Sequence, residues 1–159
     1  MADPSDRPTS LGSALNQALK DRHFGTVEVT LPQGRARAEI LDSGPIGARV
    51  RQLEVEVPDP APPQTQAHRL SGRLPGLEED LVPVEVDPGL GGGVLRTAPE
   101  QLSGGRYHEL ELRGGRARLH RPSRERDLAA GELVLTRDAL ERLVDTLARG
   151  LDAGGDGAI

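Results

Sequence analysis

The stretch that most constrains this chain is Tyr107–Arg121, YHELELRGGRARLHR, where apolar and charged residues alternate on both sides of Gly114-Gly115. Paired glycines between alternating runs are a strong short-range hairpin signal, because the turn that matches strand twist needs positive φ at both central positions. With that pair as the loop, Leu112 stands opposite Ala117 and Leu110 opposite Leu119 on one face. The other face pairs Glu111 with Arg118 and Glu109 with His120. A second copy of the pattern, TVEVTLPQGRARA at Thr26–Ala38, lies 81 residues earlier, and both copies carry Gly-Arg-Ala-Arg after the turn. With Gln33-Gly34 as its loop, the first copy sets Leu31 against Ala36 and Val29 against Ala38.

At 159 residues the chain has room for one domain, or for two small halves sharing a core. Phe24 and Tyr107 are its only aromatic residues, so the core must be built from Leu, Val and Ala. No Cys is present, which excludes disulfides and thiolate metal sites. Lys20 is the single lysine among twenty Lys and Arg, and with abundant Ala, Gly and Pro this composition points to a high-GC bacterial source. The opening MADPSDRPTS lacks a basic-then-apolar leader pattern, and no apolar run approaches the roughly 18 residues of a membrane span. The expectation is a cytoplasmic protein without membrane association.

Charge is unevenly spread along the chain. Residues 101–126 hold seven Arg against Glu109, Glu111 and Glu125, whereas residues 38–100 hold eleven acidic residues against five Arg. Such a chain suits a partner of complementary charge better than nucleic acid in general.

Along the chain, residues 1–8 read as a disordered lead-in. Thr9 or Ser10 caps a short helix with the apolar stripe Leu11, Ala14, Leu15, Ala18 and Leu19, weakened by Gly12. The first hairpin follows, then the turn Asp42-Ser43-Gly44-Pro45 and an alternating strand over Ala48–Val57 whose phase slips at Gln52–Leu53, as at a bulge. Residues 9–57 thus form a first half. Residues 58–66 read as an extended Pro-rich linker. The second half, 67–151, contains a strand at Leu81–Val86 that Pro83 assigns to an edge. A loop at Gly89–Gly93, a strand near Val94–Thr97, the second hairpin and a strand at Glu132–Leu135 follow. A C-terminal helix is capped by Thr136, ends at Gly150, and carries the stripe Leu140, Leu143, Val144, Leu147 and Leu151. Asp138–Arg142 and Asp145–Arg149 are spaced as i, i+4 pairs on it. Residues 152–159 form a Gly-rich tail.

The fold class expected is α+β, predominantly antiparallel, built from two similar hairpin-centred halves with a C-terminal amphipathic helix packed on the sheet. The two halves can share one core.

The candidate site is the basic strip Arg106, Arg113, Arg116, Arg118, Arg121, Arg124 and Arg126, since guanidinium forks hold phosphates and carboxylates bidentately. Tyr107 alone is a poor stacking platform for bases. The four His have no metal-ligand spacing, and His108 and His120 point to opposite faces, so no metal or cofactor is expected. Gly89–Gly93 lacks the Lys-Ser/Thr of a phosphate-cradling loop.

Three resemblances attach to particular segments. GELVLTRDALERLVDTL, residues 131–147, resembles the closing strand and helix of a single-strand-binding transcription-coactivator fold, without that family's aromatic and Lys content. Asp42-Ser43-Gly44 after Ile40-Leu41 resembles the catalytic triplet of retroviral-type aspartic proteases, which implies Asp42 as a catalytic carboxylate shared across a homodimer. Pro45 departs from that pattern. ILDSGPIGARV is similar to the Asp-x-Ser-x-x-Gly stretch of PilZ cyclic-dinucleotide receptors, with the spacing off by one. The function expected is a non-enzymatic bacterial adaptor that binds a protein partner or itself at edge strands. A phosphate-ligand or nucleic-acid binder using the basic strip is the alternative, and an aspartic protease at Asp42 the third reading.

Overall fold

The computed structural model describes residues 10–101, 107–122 and 131–154. In chain order these form α1 (Leu11–Ala18), β1 (Gly25–Leu31), β2 (Gly34–Ser43), β3 (Gly47–Glu56), α2 (Pro63–Leu70), β4 (Gly72–Arg73) and β5 (Asp80–Asp87). After them come β6 (Gly92–Thr97), β7 (Glu109–Arg113), β8 (Arg116–His120), β9 (Leu133–Thr136) and α3 (Arg137–Leu151). The nine described strands make one antiparallel sheet in the order β1-β2-β3-β8-β7-β6-β5-β4, with β9 also on β3. The apolar sides of the strands and the stripes of the helices belong to one buried cluster, drawn from both sides of the Pro-rich segment. The fold is α+β, with the helices on one face of a mostly antiparallel sheet. Among the described residues, no helix is long and apolar enough to cross a membrane.

β3 explains the repeated Gly-Arg-Ala-Arg. One copy lies along each edge of this strand, in the same register. Arg35 and Arg116 both face Glu56, Ala36 and Ala117 both face Val55, and Arg37 and Arg118 both face Glu54. A Cβ on Gly34 would collide with the Glu56 carbonyl, and one on Gly115 would lie 3.0 Å from the Val57 carbonyl oxygen. Each copy therefore starts with the residue that lets a backbone come up against the end of β3. The two hairpins flank one strand of a common sheet.

β8 and β9 share one edge of β3, pairing with Gln52–Glu56 and Gly47–Val50 respectively. The Arg121–Gly131 bridge closes the base of the excursion between them. The phase slip in β3 falls at Arg51, one residue from the expected place, and a matching extra residue, Leu41, restores the register on β2. This is how Val50 and Leu53, an odd number of residues apart, both face the core.

The second hairpin has the expected register throughout, with Gly114 and Gly115 at φ 55° and 81°. In the first, the structure corrects the register by two residues: Leu31 pairs with Gly34, Val29 with Ala36 and Val27 with Ala38, around Pro32-Gln33. Proline sets φ for the first central position of an ordinary turn and has no N–H to give a ladder, so the loop forms on it.

The extended linker read over 58–66 is also corrected. Pro60 bridges to Asp152, Ala61 is buried, and α2 begins at Pro63, whose missing N–H costs nothing in a first helical turn. Gly92 and Gly93 belong to β6 rather than to a loop.

The terminal helices hold each other. Ser10 caps α1, accepting from Ser13 N at 3.0 Å, and Gly12 lies so close to α3 that a Cβ would strike the Glu141 carbonyl. Gly12 is thus a contact residue between helices. Its N–H donates to Asp145 Oδ1 at 2.8 Å, so Asp145 serves α1, while Arg149 reaches Thr146. Thr136 caps α3 as expected, and Asp138 pairs with Arg142 at 3.0 Å. The helix runs through Gly150 to Leu151, because Gly150 is where Leu70 of α2 packs.

Candidate functional site

The face of the sheet away from the helices is a mosaic of opposite charges. Glu28, Arg37, Glu54, Arg118 and Glu111 stand in one row across β1, β2, β3, β8 and β7, with the sign changing at each strand. The next row is Thr30, Arg35, Glu56, Arg116 and Arg113, and on the other side run Thr26, Glu39, Gln52, His120, Glu109 and Arg96. Arg35 contacts Glu56 at 3.2 Å and Glu28 at 3.8 Å, Arg116 contacts Glu54 at 3.5 Å, and Arg118 contacts Glu111 at 2.9 Å. Arg96 bonds Glu109 at 2.8 Å and lies 5.6 Å from the Tyr107 ring. The acidic and basic zones of the sequence interleave in space, because Glu54 and Glu56 at the end of β3 run between Arg35 and Arg37 of β2 and Arg116 and Arg118 of β8. Exposed pairs of this kind contribute about 0–1 kcal/mol each, so they set register and surface character more than stability.

The candidate strip is divided by this arrangement. Arg116 and Arg118 sit among glutamates. Arg113 is exposed at the hairpin end with no ion-pair partner among the described residues. Arg121 is half-buried at the Gly131 bridge. Arg106, Arg124 and Arg126 lie outside the described residues.

Glu109, Glu111 and His120 bring donor atoms within 4.8 Å of one another. His120 Nε2 is 3.0 Å from Glu109 and 3.5 Å from Glu111. These three could ligate a metal, and the sequence signal of the grouping is a pair of i, i+2 glutamates opposite a histidine across a hairpin rather than two spaced histidines. Arg96 and Arg118 already hold both carboxylates, and the group fits within the ion-pair network. Burial pushes the Glu111 carboxyl up, but the hydrogen bond and charge of Arg118, with His120 beside it, outweigh this and hold it below its ordinary value. His108 is buried, with Nδ1 3.1 Å from Glu79, and burial depresses its basicity despite that carboxylate.

Asp42 is exposed and stands opposite Arg49, while Ser43 beside it turns inward and is buried. The second carboxylate that proton sharing needs would have to come from a second copy of the chain.

The two sides of the sheet differ. β5 is guarded by Pro83, by an irregularity at Val84 and by the short β4 at its start. β1 pairs with β2 over seven residues without a bulge, has no proline, and carries Glu28 as its one charge. Its other side has no strand partner among the described residues. Since Leu31–Gly34 flank a two-residue turn, they form the hydrogen-bonded pair, and alternation turns the backbone groups of Thr26, Glu28 and Thr30 outward. On the core side Val29 and Leu31 are only partly covered. Phe24, just ahead of β1, is 76% exposed. Comparison with protein-family models, with characterised proteins and with solved structures finds no match for this chain.

Proposed function

We propose that this protein is a non-enzymatic interaction module of the bacterial cytoplasm that receives an extended segment of a partner protein on the open edge of β1. The observation that carries this reading is an edge seven residues long with no strand partner among the described residues, beside the half-covered Val29 and Leu31. A partner strand with apolar residues on its inner side would complete the core over those two side chains. A Lys or Arg opposite Glu28 would extend the alternating row. Phe24 offers an apolar anchor where β1 begins.

Affinity capture from native lysate tests this, comparing the wild-type chain with Thr26→Pro and Thr30→Pro. Each proline removes an outward N–H while leaving the bonds to β2 in place. The expected result is one partner in stoichiometric amount with the wild type and at least about tenfold less with either variant, the loss of main-chain bonds and strand fit being worth over about 1.4 kcal/mol. Equal recovery by folded variants would contradict the proposal. A nuclease arm addresses the alternative on the basic strip. Nucleic acid in the eluate that disappears with Arg116→Glu and Arg118→Glu together, and with added salt, would favour that reading instead.

A further inference from the structure

β1 is itself a strand of the kind that its side without a strand partner among the described residues would accept. Val27 is buried and Val29 and Leu31 are half-covered on the helix side, while Thr26, Glu28 and Thr30 are exposed on the other. An antiparallel copy of the strand, related by a two-fold axis normal to the sheet, sets apolar residues beside apolar ones and keeps both helix layers on one side. Since the backbone groups that point outward belong to Thr26, Glu28 and Thr30, these residues face one another across the new ladder. The register then depends on which residue lies on the axis.

Glu28 on the axis sets two carboxylates directly opposite, which is destabilising. Val27 on the axis leaves Leu31 with no β1 residue opposite. Val29 on the axis meets neither difficulty. Val29 then faces its own copy, Leu31 faces Val27, and Glu28 faces the hydroxyl of Thr30. The two Glu28 carboxylates become diagonal neighbours, and each has Arg35 of its own chain at 3.8 Å. This register covers the two side chains that the single chain leaves partly bare.

The ends of β1 complement each other as well. Phe24, just ahead of the strand, is 76% exposed. At the far end a groove of about 260 Å³ is lined by Leu31, Pro32, Gly34, Val57 and Pro58. Antiparallel pairing lays the start of each strand beside the end of the other. With Val29 on the axis, Phe24 of one copy comes level with Gly34 of the other, where the groove lies.

We infer that β1 pairs with β1 of a second copy of this chain, with Val29 on the two-fold axis and Phe24 of each copy at the groove beside Pro32 of the other. The inference rests on the strand-docking reading of this edge and names its occupant. The strands overlap over five residues, Val27–Leu31, which is less than a stable interface of standard size uses. The pair therefore dissociates on dilution and leaves the edge of the separate chain free.

Sedimentation of the full chain over a range of concentrations tests association, and single cysteines test the register, since the chain has no Cys of its own. A reversible monomer–dimer equilibrium is expected. Phe24→Ala, at an exposed position, should weaken it at least about tenfold, because each dimer loses two buried rings. Val29→Cys should oxidise to a linked dimer, the Cα atoms of such a pair lying about 4.5 Å apart, within disulfide reach. Glu28→Cys, though more exposed, should link more slowly, because diagonal positions stand about 7–8 Å apart. A dimer unaffected by Phe24→Ala, or one linked faster through Glu28→Cys than through Val29→Cys, would overturn the arrangement. A chain that stays monomeric to about 1 mM, yet captures a different protein that Thr26→Pro and Thr30→Pro lose, would overturn the second copy and leave strand docking standing. A monomer that captures nothing would overturn both.

Discussion

Gly34 and Gly115 show how single residues set this architecture. Each places a backbone where a side chain would meet the end of β3, and Gly115 also has φ 81°. Alanine at either position should destabilise by about 1–3 kcal/mol, as overpacking of a tight contact does, and denaturant unfolding will measure it. The Gly-Arg-Ala-Arg repeat was plain in the sequence, but its meaning was not. Likeness between two segments does not say that both pair with one third strand. His108 supports a prediction of a different kind. Burial lowers its pKa in the folded chain relative to 6.5, so the unfolded chain binds more protons below that value. Stability should therefore be fully present above about pH 6.5 and fall as pH drops below it. His108→Asn should flatten that dependence in melts followed across this range. A slope unchanged in the variant would remove His108 as its source.

Among the elements, the legible ones were those with a strong period or a turn that only glycine can make. The α3 stripe of Leu140, Leu143, Val144, Leu147 and Leu151 is wholly buried. Leu143→Ala and Leu147→Ala should each cost about 2–5 kcal/mol in equilibrium unfolding, and values near zero would mean that the helix is not packed on the sheet. The second hairpin was readable to the residue because Gly114-Gly115 permits one turn. The first was misread by two residues because Gln33-Gly34 resembles a glycine turn, whereas Pro32 decides the loop. α2 escaped notice because PQTQAHRL has few apolar residues. Ala67 and Leu70, three apart after a helix-starting proline, were its only signal. The i, i+4 spacing of Asp145 and Arg149 was likewise visible, but tertiary contact drew Asp145 to the α1 backbone.

At the scale of the whole molecule, charge along the chain was a poor guide to charge in space. Residues 38–100 are acidic and 101–126 basic, yet β3 and β8 interleave the two as cross-strand pairs. Pairing partners far apart in sequence cannot be inferred from local composition, so the basic strip stood out in sequence although Glu54, Glu56 and Glu111 surround Arg116 and Arg118 in space. Because one buried cluster includes residues from both sides of the Pro-rich segment, thermal unfolding should follow a single transition by different probes. Two resolved transitions would mean that the halves fold apart.

Site-resolved amide hydrogen exchange of the free protein reads the edge of β1 residue by residue. Val27, Val29 and Leu31, bonded to β2, should be protected, while Thr26, Glu28 and Thr30 between them exchange near unprotected rates. Protection of all six in the free chain would show that the edge is already covered and would contradict its role as a docking strand.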